Sequence, residues 1–399
     1  MRVSNELQPA GAMSRPVWET AALATVARAM VAVGILAAGT MSAAAQSSPP
    51  PGSWNMYSGY TDTTRLTFTN NPLPNPVQPG NFPSLQLTLS GNHTQNFTMD
   101  TGSTGIVVAQ QHFTPGPNDV QLGPGNALYT SDNVLMQGTY WQTQVTVTGE
   151  NGNKITSNVK ILVVPDSYGN VKMMGVGFDR GGNKPRDGQA IDQPQTDQNP
   201  FLNIVAINGA PVTNMRKGYV VGSQGVVLGL TAEQSSNFAI VKLTPNTIVP
   251  ANVWNRPNMS MSVDGTSIGT GGLLADTGIA YMIATPIGQI PEGKLETCNP
   301  SHPGQCLKVN NDMTINLLPG LPADVAAKYK FTVVEDRTGR PLNPSQVNFR
   351  PEDGTNVLAT EVSLNTGLSF YMGFDYLVDF DGGYAGYRWA NAAGADGGV

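Results

Sequence analysis

Basic residues are scarce in this 399-residue chain, which carries 22 Lys and Arg against 28 Asp and Glu, for a formal net charge of −6. A nucleic-acid partner needs a cationic face to displace the counterions of phosphate, so that class of function is excluded. Histidine is scarcer still: His93, His112 and His302 are all there is. With no HExxH pair, no GxSxG elbow and no Walker loop, metalloprotease, serine-hydrolase and nucleotide-hydrolase chemistry lack their carriers, and each His reads as a loop or surface residue. Cysteine is limited to Cys298 and Cys306, separated by Asn-Pro-Ser-His-Pro-Gly-Gln. In an exported chain this pair reads first as a local disulfide and second as part of a metal site, although His302 alone does not complete a four-ligand set. No metal and no cofactor is implied.

Charged residues make up only 13 % of the chain while apolar ones reach 40 %, which is not a disordered composition. Helical periodicity is rare, with residues 198–207 and 322–330 the short candidates. Long apolar runs are confined to residues 21–41, which end in Ser42-Ala43-Ala44-Ala45-Gln46, a small-x-small cleavage site after Ala45. Residues 1–45 therefore read as a secretory signal peptide, with an uncut anchor as the alternative; the uninterrupted part after Arg28 falls short of the roughly 20 residues that span a bilayer. A Pro/Ser-rich linker is expected over 46–60. The expected product is a soluble monomer, secreted or periplasmic, with no membrane contact once the signal is removed.

What the chain does have is Gly 45, Pro 30 and many short runs of Val, Ile, Leu and Thr. Residues 65–69, 84–90, 95–99, 106–109, 140–148, 155–164, 218–230, 239–243, 259–263 and 271–275 read as half-buried or buried strands between tight turns. The expected fold class is mostly β.

Two of these strands run into the same triplet. Phe97-Thr98-Met99-Asp100-Thr101-Gly102-Ser103-Thr104-Gly105 sets a carboxylate in a Gly turn, and Leu273-Leu274-Ala275-Asp276-Thr277-Gly278-Ile279-Ala280 does so again 176 positions later. One such triplet is an ordinary turn. Two, each between strands and one small domain's length apart, indicate a duplicated lobe.

On these residues the chain resembles the pepsin-like aspartic peptidases over about residues 60–392. Met173-Met174-Gly175 and Tyr371-Met372-Gly373 resemble the family's apolar-apolar-Gly strands that thread behind each Asp turn. Further matches follow in family order: Gly225-Val226-Val227-Leu228-Gly229-Leu230, the run from Met259 to Gly265, and Val378-Asp379-Phe380-Asp381 with Tyr384-Ala385-Gly386-Tyr387. The resemblance implies a bilobal fold of two pseudo-symmetric β lobes around a central cleft, an N-terminal lobe over 61–230, a C-terminal lobe over 231–392 and a tail over 393–399. It also implies a peptide or protein substrate.

It implies that Asp100 and Asp276 share one proton and activate a water between them, because like charges in contact cannot both ionise; aspartic proteases are the standard case. Gly102 and Gly278 permit the tight turn, Thr101 and Thr277 cross-link the two turns, and Ser103 donates to the outer oxygen of Asp100. Three positions depart from the family. Ile279 and Ala280 stand where Thr or Ser is usual, so Asp276 is expected to lose an outer donor, about 1.5–3 kcal/mol for a bond to a charged group, with an altered pH optimum. Val107 replaces the Trp that supports the flap tyrosine; Tyr129 is the flap candidate and Tyr140-Trp141 its rival. No Lys and only Arg65 occur over 46–99, so no basic prosegment is expected. Two functional readings follow: an aspartic endopeptidase, or a pepsin-fold binding or inhibitor protein that has lost hydrolysis. A β-sandwich adhesin with both triplets as plain turns is the third.

Overall fold

The computed structural model describes residues 56–390 apart from 72, 91–93, 132, 179–188, 247–253, 287, 299–303, 320–326 and 351–361. The expected signal peptide, the linker as far as residue 55, the 393–399 tail, His93 and His302 lie outside the described residues. Within them are twenty-four strands, four 3-10 turns and no α-helix.

Alternation of apolar and polar residues makes the strands two-faced. Ser84–Leu89 buries Leu85, Leu87 and Leu89, and Asn258–Val263 buries Met259, Met261 and Val263. Each such side chain removed from water contributes about 1.5–3 kcal/mol, so the register of either strand is fixed by which face must stay dry. Turn chemistry agrees with the pattern. Asp264 and Gly265 both take positive φ, 47° and 79°, and join Asn258–Val263 to Thr266–Leu274 in a tight hairpin.

The strands form two nine-stranded sheets, each curled into a barrel-like lobe, and one six-stranded sheet. In the first lobe, Gln95–Asp100 runs parallel to Lys172–Val176, with Met99 opposite Met174 and Asp100 opposite Gly175. Thr104–Ala109 returns antiparallel on the other side of the same strand. The expected Met173-Met174-Gly175 strand is thus the one threaded behind the first Asp turn. The second lobe repeats the device with Thr266–Leu274, Ser363–Asn365 and Met282–Thr285. The fold is mostly β and bilobal, as expected.

The second threading strand corrects the sequence reading. Ser363-Leu364-Asn365 lies between the two arms of the second Asp turn, whereas Tyr371 and Met372 belong to the 3-10 turn Leu368–Met372 and Gly373 caps it. Gly367, at φ 64°, breaks the strand there, and a β-carbon on it would run into the Tyr281 carbonyl.

Two other expectations change. The helix over 198–207 is absent: Thr196–Gln198 is a 3-10 turn and Ile204–Ile207 a strand, since a β-branched run ending in Asn208-Gly209, both at positive φ, suits a hairpin. Of residues 322–330, those described are 327–330, and from Lys328 on they belong to the strand Lys328–Thr332. Residues 218–230 form two strands, Gly218–Gly222 and Gly225–Leu228, folded back on one another.

That last pair lies in the six-stranded sheet, ordered Thr64–Thr67, Gly225–Leu228, Gly218–Gly222, Phe374–Asp379, Tyr384–Trp389, Ala239–Lys242. Strands from both halves of the chain meet here. The expected C-terminal hairpin supplies two of them. Cys298 and Cys306 form a disulfide, with Cα atoms 5.0 Å apart, tying Leu295–Thr297 to Gln305–Leu307 at the edge of the second lobe.

Candidate active site

Asp100 closes the strand Gln95–Asp100, Asp276 comes two residues after the end of Thr266–Leu274, and each begins a turn, so the two turns face each other where the lobes meet. Thr101 N–H donates to Thr277 Oγ1 at 3.0 Å, and Thr277 N–H to Thr101 Oγ1 at 2.9 Å. Each hydroxyl donates onward, Thr101 to Ala275 O and Thr277 to Met99 O, both at 2.7 Å. The hydroxyls are spent in both directions, and the turns cannot separate without leaving four buried groups unpaired. Tyr371 braces the same point, its hydroxyl 3.0 Å from Ala275 O and 3.3 Å from Thr101 Oγ1.

This crossed pairing brings Asp100 and Asp276, 5 % and 4 % exposed, side by side, each carboxylate over the other's turn. A β-carbon on Gly102 would strike the Asp276 carboxylate, and one on Gly278 the Asp100 carboxylate. Glycine is required at both positions because each turn sits directly over the opposing acid. The inner oxygens are matched: Gly102 N–H donates to Asp100 Oδ1 and Gly278 N–H to Asp276 Oδ1, both at 2.7 Å.

The outer oxygens differ. Ser103 Oγ donates to Asp100 Oδ2 in a short bond, as the sequence led us to expect. Asp276 was expected to lack this second donor because of Ile279. Instead Asn365 Nδ2 lies 2.5 Å from Asp276 Oδ2, while Asn365 Oδ1 accepts from Gly367 N–H at 3.0 Å. Ile279 is itself buried and apolar, and the missing hydroxyl is made good from the threading strand. Sequence reasoning passed over Asn365; the available signal was a polar residue in an otherwise strand-like run just before Thr366-Gly367.

Burial, and after it the Asp276 charge, push the Asp100 carboxyl well above the usual carboxylate range, against the downward pull of Ser103 and Gly102. Tyr129 faces both Ser103 and Asp100, and burial followed by the Asp100 charge pushes its phenol upward, so it stays protonated. It ends the strand Val120–Tyr129, which forms a long hairpin with Val134–Thr148. Tyr129 packs with the cluster of Val107, Leu162 and Val164. Its rivals sit lower in the hairpin: the Tyr140 hydroxyl donates to Asn126 O at 3.1 Å, and Trp141 packs edge-on against Phe113. Beside Ser103 and under Tyr129 lies an open cleft, walled by Ile106, Val107, Leu128 and Leu162, with Lys160 and Asp192 also on its lining.

No protein-family model matches the chain and no curated protein does. Among solved structures it is similar to an aspartic proteinase from Irpex lacteus, at 13 % identity and a TM-score of 0.47, covering 84 % of this chain and all of that one.

His112 is bonded to Asn170 on the surface, away from these groups. Among the described residues no helix is long and apolar enough to cross a membrane, and no group of three or more His, Cys, Asp or Glu is set to hold a metal.

Proposed function

We propose that this protein is an aspartic endopeptidase, exported from the cell, that hydrolyses peptide bonds at acid pH with Asp100 and Asp276 as its catalytic residues. The supporting observation is the crossed Thr101–Thr277 pairing, which brings the two carboxyls together with matched backbone donors. In such a pair one carboxylate takes a proton from water as its oxygen attacks the peptide carbonyl carbon. The other gives its proton to the carbonyl oxygen. Collapse of the resulting gem-diol breaks the C–N bond as a proton passes to the leaving amine, and the pair returns to its starting charge. Thr101, Gly102, Ser103, Thr277 and Gly278 hold the acids in place, and Tyr129 closes the cleft as the flap residue.

The apolar walls beside Ser103 favour substrates with apolar side chains near the scissile bond. Lobes over 61–230 and 231–392 each contribute one acid. Export rests on the signal reading of residues 1–45 together with the Cys298–Cys306 disulfide, a bond that persists in oxidising compartments. The competing reading as a non-hydrolysing binding protein drew on Ile279, and the Asn365 amide weakens that ground.

Cleavage of acid-denatured protein and its block by a pepstatin-type inhibitor, whose hydroxyl mimics the tetrahedral state, test the proposal. Asp100→Asn and Asp276→Asn should each lower turnover by about a hundredfold or more. Undiminished activity in either variant would refute it.

A further inference from the structure

We infer that Asn365 is a positioning residue that holds Asp276 as the ionised member of the acid pair and so leaves the shared proton on Asp100. This deepens the proposed function and rests on Asp100 and Asp276 being its acids, but its own test does not require hydrolysis.

The two acids are matched everywhere except at their outer oxygens. Asp100 Oδ2 meets the hydroxyl of Ser103, which can donate or accept and therefore tolerates a carboxylate or a carboxylic acid. Asp276 Oδ2 meets an amide. The orientation of that amide is fixed, because Asn365 Oδ1 is occupied by Gly367 N–H at 3.0 Å, which turns Nδ2 toward Asp276. An amide NH₂ can only donate, so both Asp276 oxygens face groups that reward negative charge and cannot receive a proton. Of the two Asp100 oxygens, only Oδ1 is so restricted.

The surrounding groups do not reverse this difference. Asp276 faces Asp100 from the opposing turn and raises the cost of charge there, Ser103 and the Gly102 N–H offset part of that cost, and Tyr129 on the hairpin side is a phenol that the Asp100 charge keeps protonated. Asn365 is set in this place by the fold: Ser363–Asn365 pairs with Thr266–Leu274 on one side and Met282–Thr285 on the other, so its backbone is fixed by both arms of the second Asp turn. In the hydrolytic step Asp276 then takes the proton from water and Asp100 delivers its own to the carbonyl oxygen.

Carbon-13 NMR of the Asp carboxyl carbons in the full chain, with resonances assigned through Asp100→Asn and Asp276→Asn, reads the order directly. Asp276 should ionise first as pH rises, with Asp100 still protonated. Asp100 ionising first overturns the inference. Asn365→Ala should move the lower of the pair's two steps up by about one pH unit, and Ile279→Thr added to it, restoring a hydroxyl next to the turn, should bring that step back. A folded Asn365→Ala protein with an unmoved lower step overturns the inference. If Asn365→Ala does not fold, Ile279→Thr alone should lower the step, and its failure to do so has the same force. Peptide hydrolysis is measured separately on the same proteins. Absence of cleavage with Asp276 ionising first refutes the peptidase reading and leaves the proton placement standing; cleavage with the reverse order refutes only the placement.

Discussion

Arg350 reaches from the second lobe to the turn after Tyr129 and donates through Nη1 to the backbone carbonyl of Thr130, 3.0 Å away. Its Nη2 donates to the next carbonyl, that of Ser131, at 2.7 Å. Arg350 directly follows Val347–Phe349 in the second lobe, while Thr130 and Ser131 form the turn after Tyr129 in the first. One guanidinium thus fastens the tip of this hairpin to the opposite lobe; under the proposed function the hairpin is the flap and leaves the guanidinium when substrate enters.

Arg350→Ala should therefore act on binding more than on chemistry. Two hydrogen bonds from a charged donor are lost, and bonds of this kind contribute about 1.5–3 kcal/mol each before solvent competes for them. The expected result is a KM changed several-fold with kcat within about twofold, and faster amide exchange in the turn after Tyr129. Unchanged KM and unchanged exchange would mean that the flap is held by the Tyr129 contacts alone.

Thr277→Val keeps the shape of the side chain and removes its hydroxyl. Thr101 N–H then loses its acceptor and Met99 O its donor, both in a region closed to water. A buried group left unpaired costs about 1–3 kcal/mol. Urea denaturation should show a loss of this size, while Thr277→Ser, which retains the hydroxyl, should stay close to the parent. Equal stability of all three proteins would remove the crossed pairing from the account of how the turns are held.

The acid pair makes stability depend on pH in a direction opposite to most carboxylates. The folded-state pKa of Asp100 is raised above the ordinary 3.8, so between the two values the folded chain binds more protons than the unfolded one. Its contribution to stability is full below pH 3.8 and is lost as pH climbs from there toward the raised value, at no more than about 1.4 kcal/mol per pH unit. Asp100→Asn cannot ionise and should flatten this part of the profile. It should be the more stable protein at neutral pH, with the difference shrinking toward pH 4. A constant difference across that range would mean that Asp100 is not raised.

Much of this was legible in the sequence because it is local. Alternation in Ser84–Leu89 and Asn258–Val263, the two Asp-Thr-Gly turns and the cysteine pair each announce themselves within ten residues. Features set by register were not legible. Tyr371-Met372-Gly373 carries the pattern of a threading strand, yet the strand that threads is Ser363–Asn365, chosen by pairing with residues some 80 to 90 positions earlier. Asn365 was overlooked for that reason, since only the pairing aims it at Asp276. The strand Val120–Tyr129 was missed for another: Gly123-Pro124-Gly125 reads as a loop, but the pairing with Val134–Thr148 absorbs it through a bulge between Gln121 and Gly123.

The final prediction concerns what keeps the halves together. Asp379, with no exposed surface, accepts from Arg216 Nε at 2.9 Å and Nη2 at 3.0 Å, from the Tyr57 hydroxyl at 2.9 Å and from Gly382 N–H at 2.9 Å. Phe374–Asp379 and Gly218–Gly222 are adjacent strands of the six-stranded sheet, so this carboxylate sits where the two halves of the chain are sewn together. Asp379→Ala leaves the guanidinium without its counter-ion and the phenol without its acceptor. Breaking one side of a buried pair costs about 3–5 kcal/mol, and the lower figure applies here because the Arg216 side chain keeps 17 % of its surface in water. Arg216→Met should cost a similar amount by stranding the carboxylate. The double variant Arg216→Met with Asp379→Ala should lose clearly less than the sum, since neither charge is then left alone. If the losses simply add, the bond between these residues is not what joins the halves, and packing of the shared sheet must hold them instead.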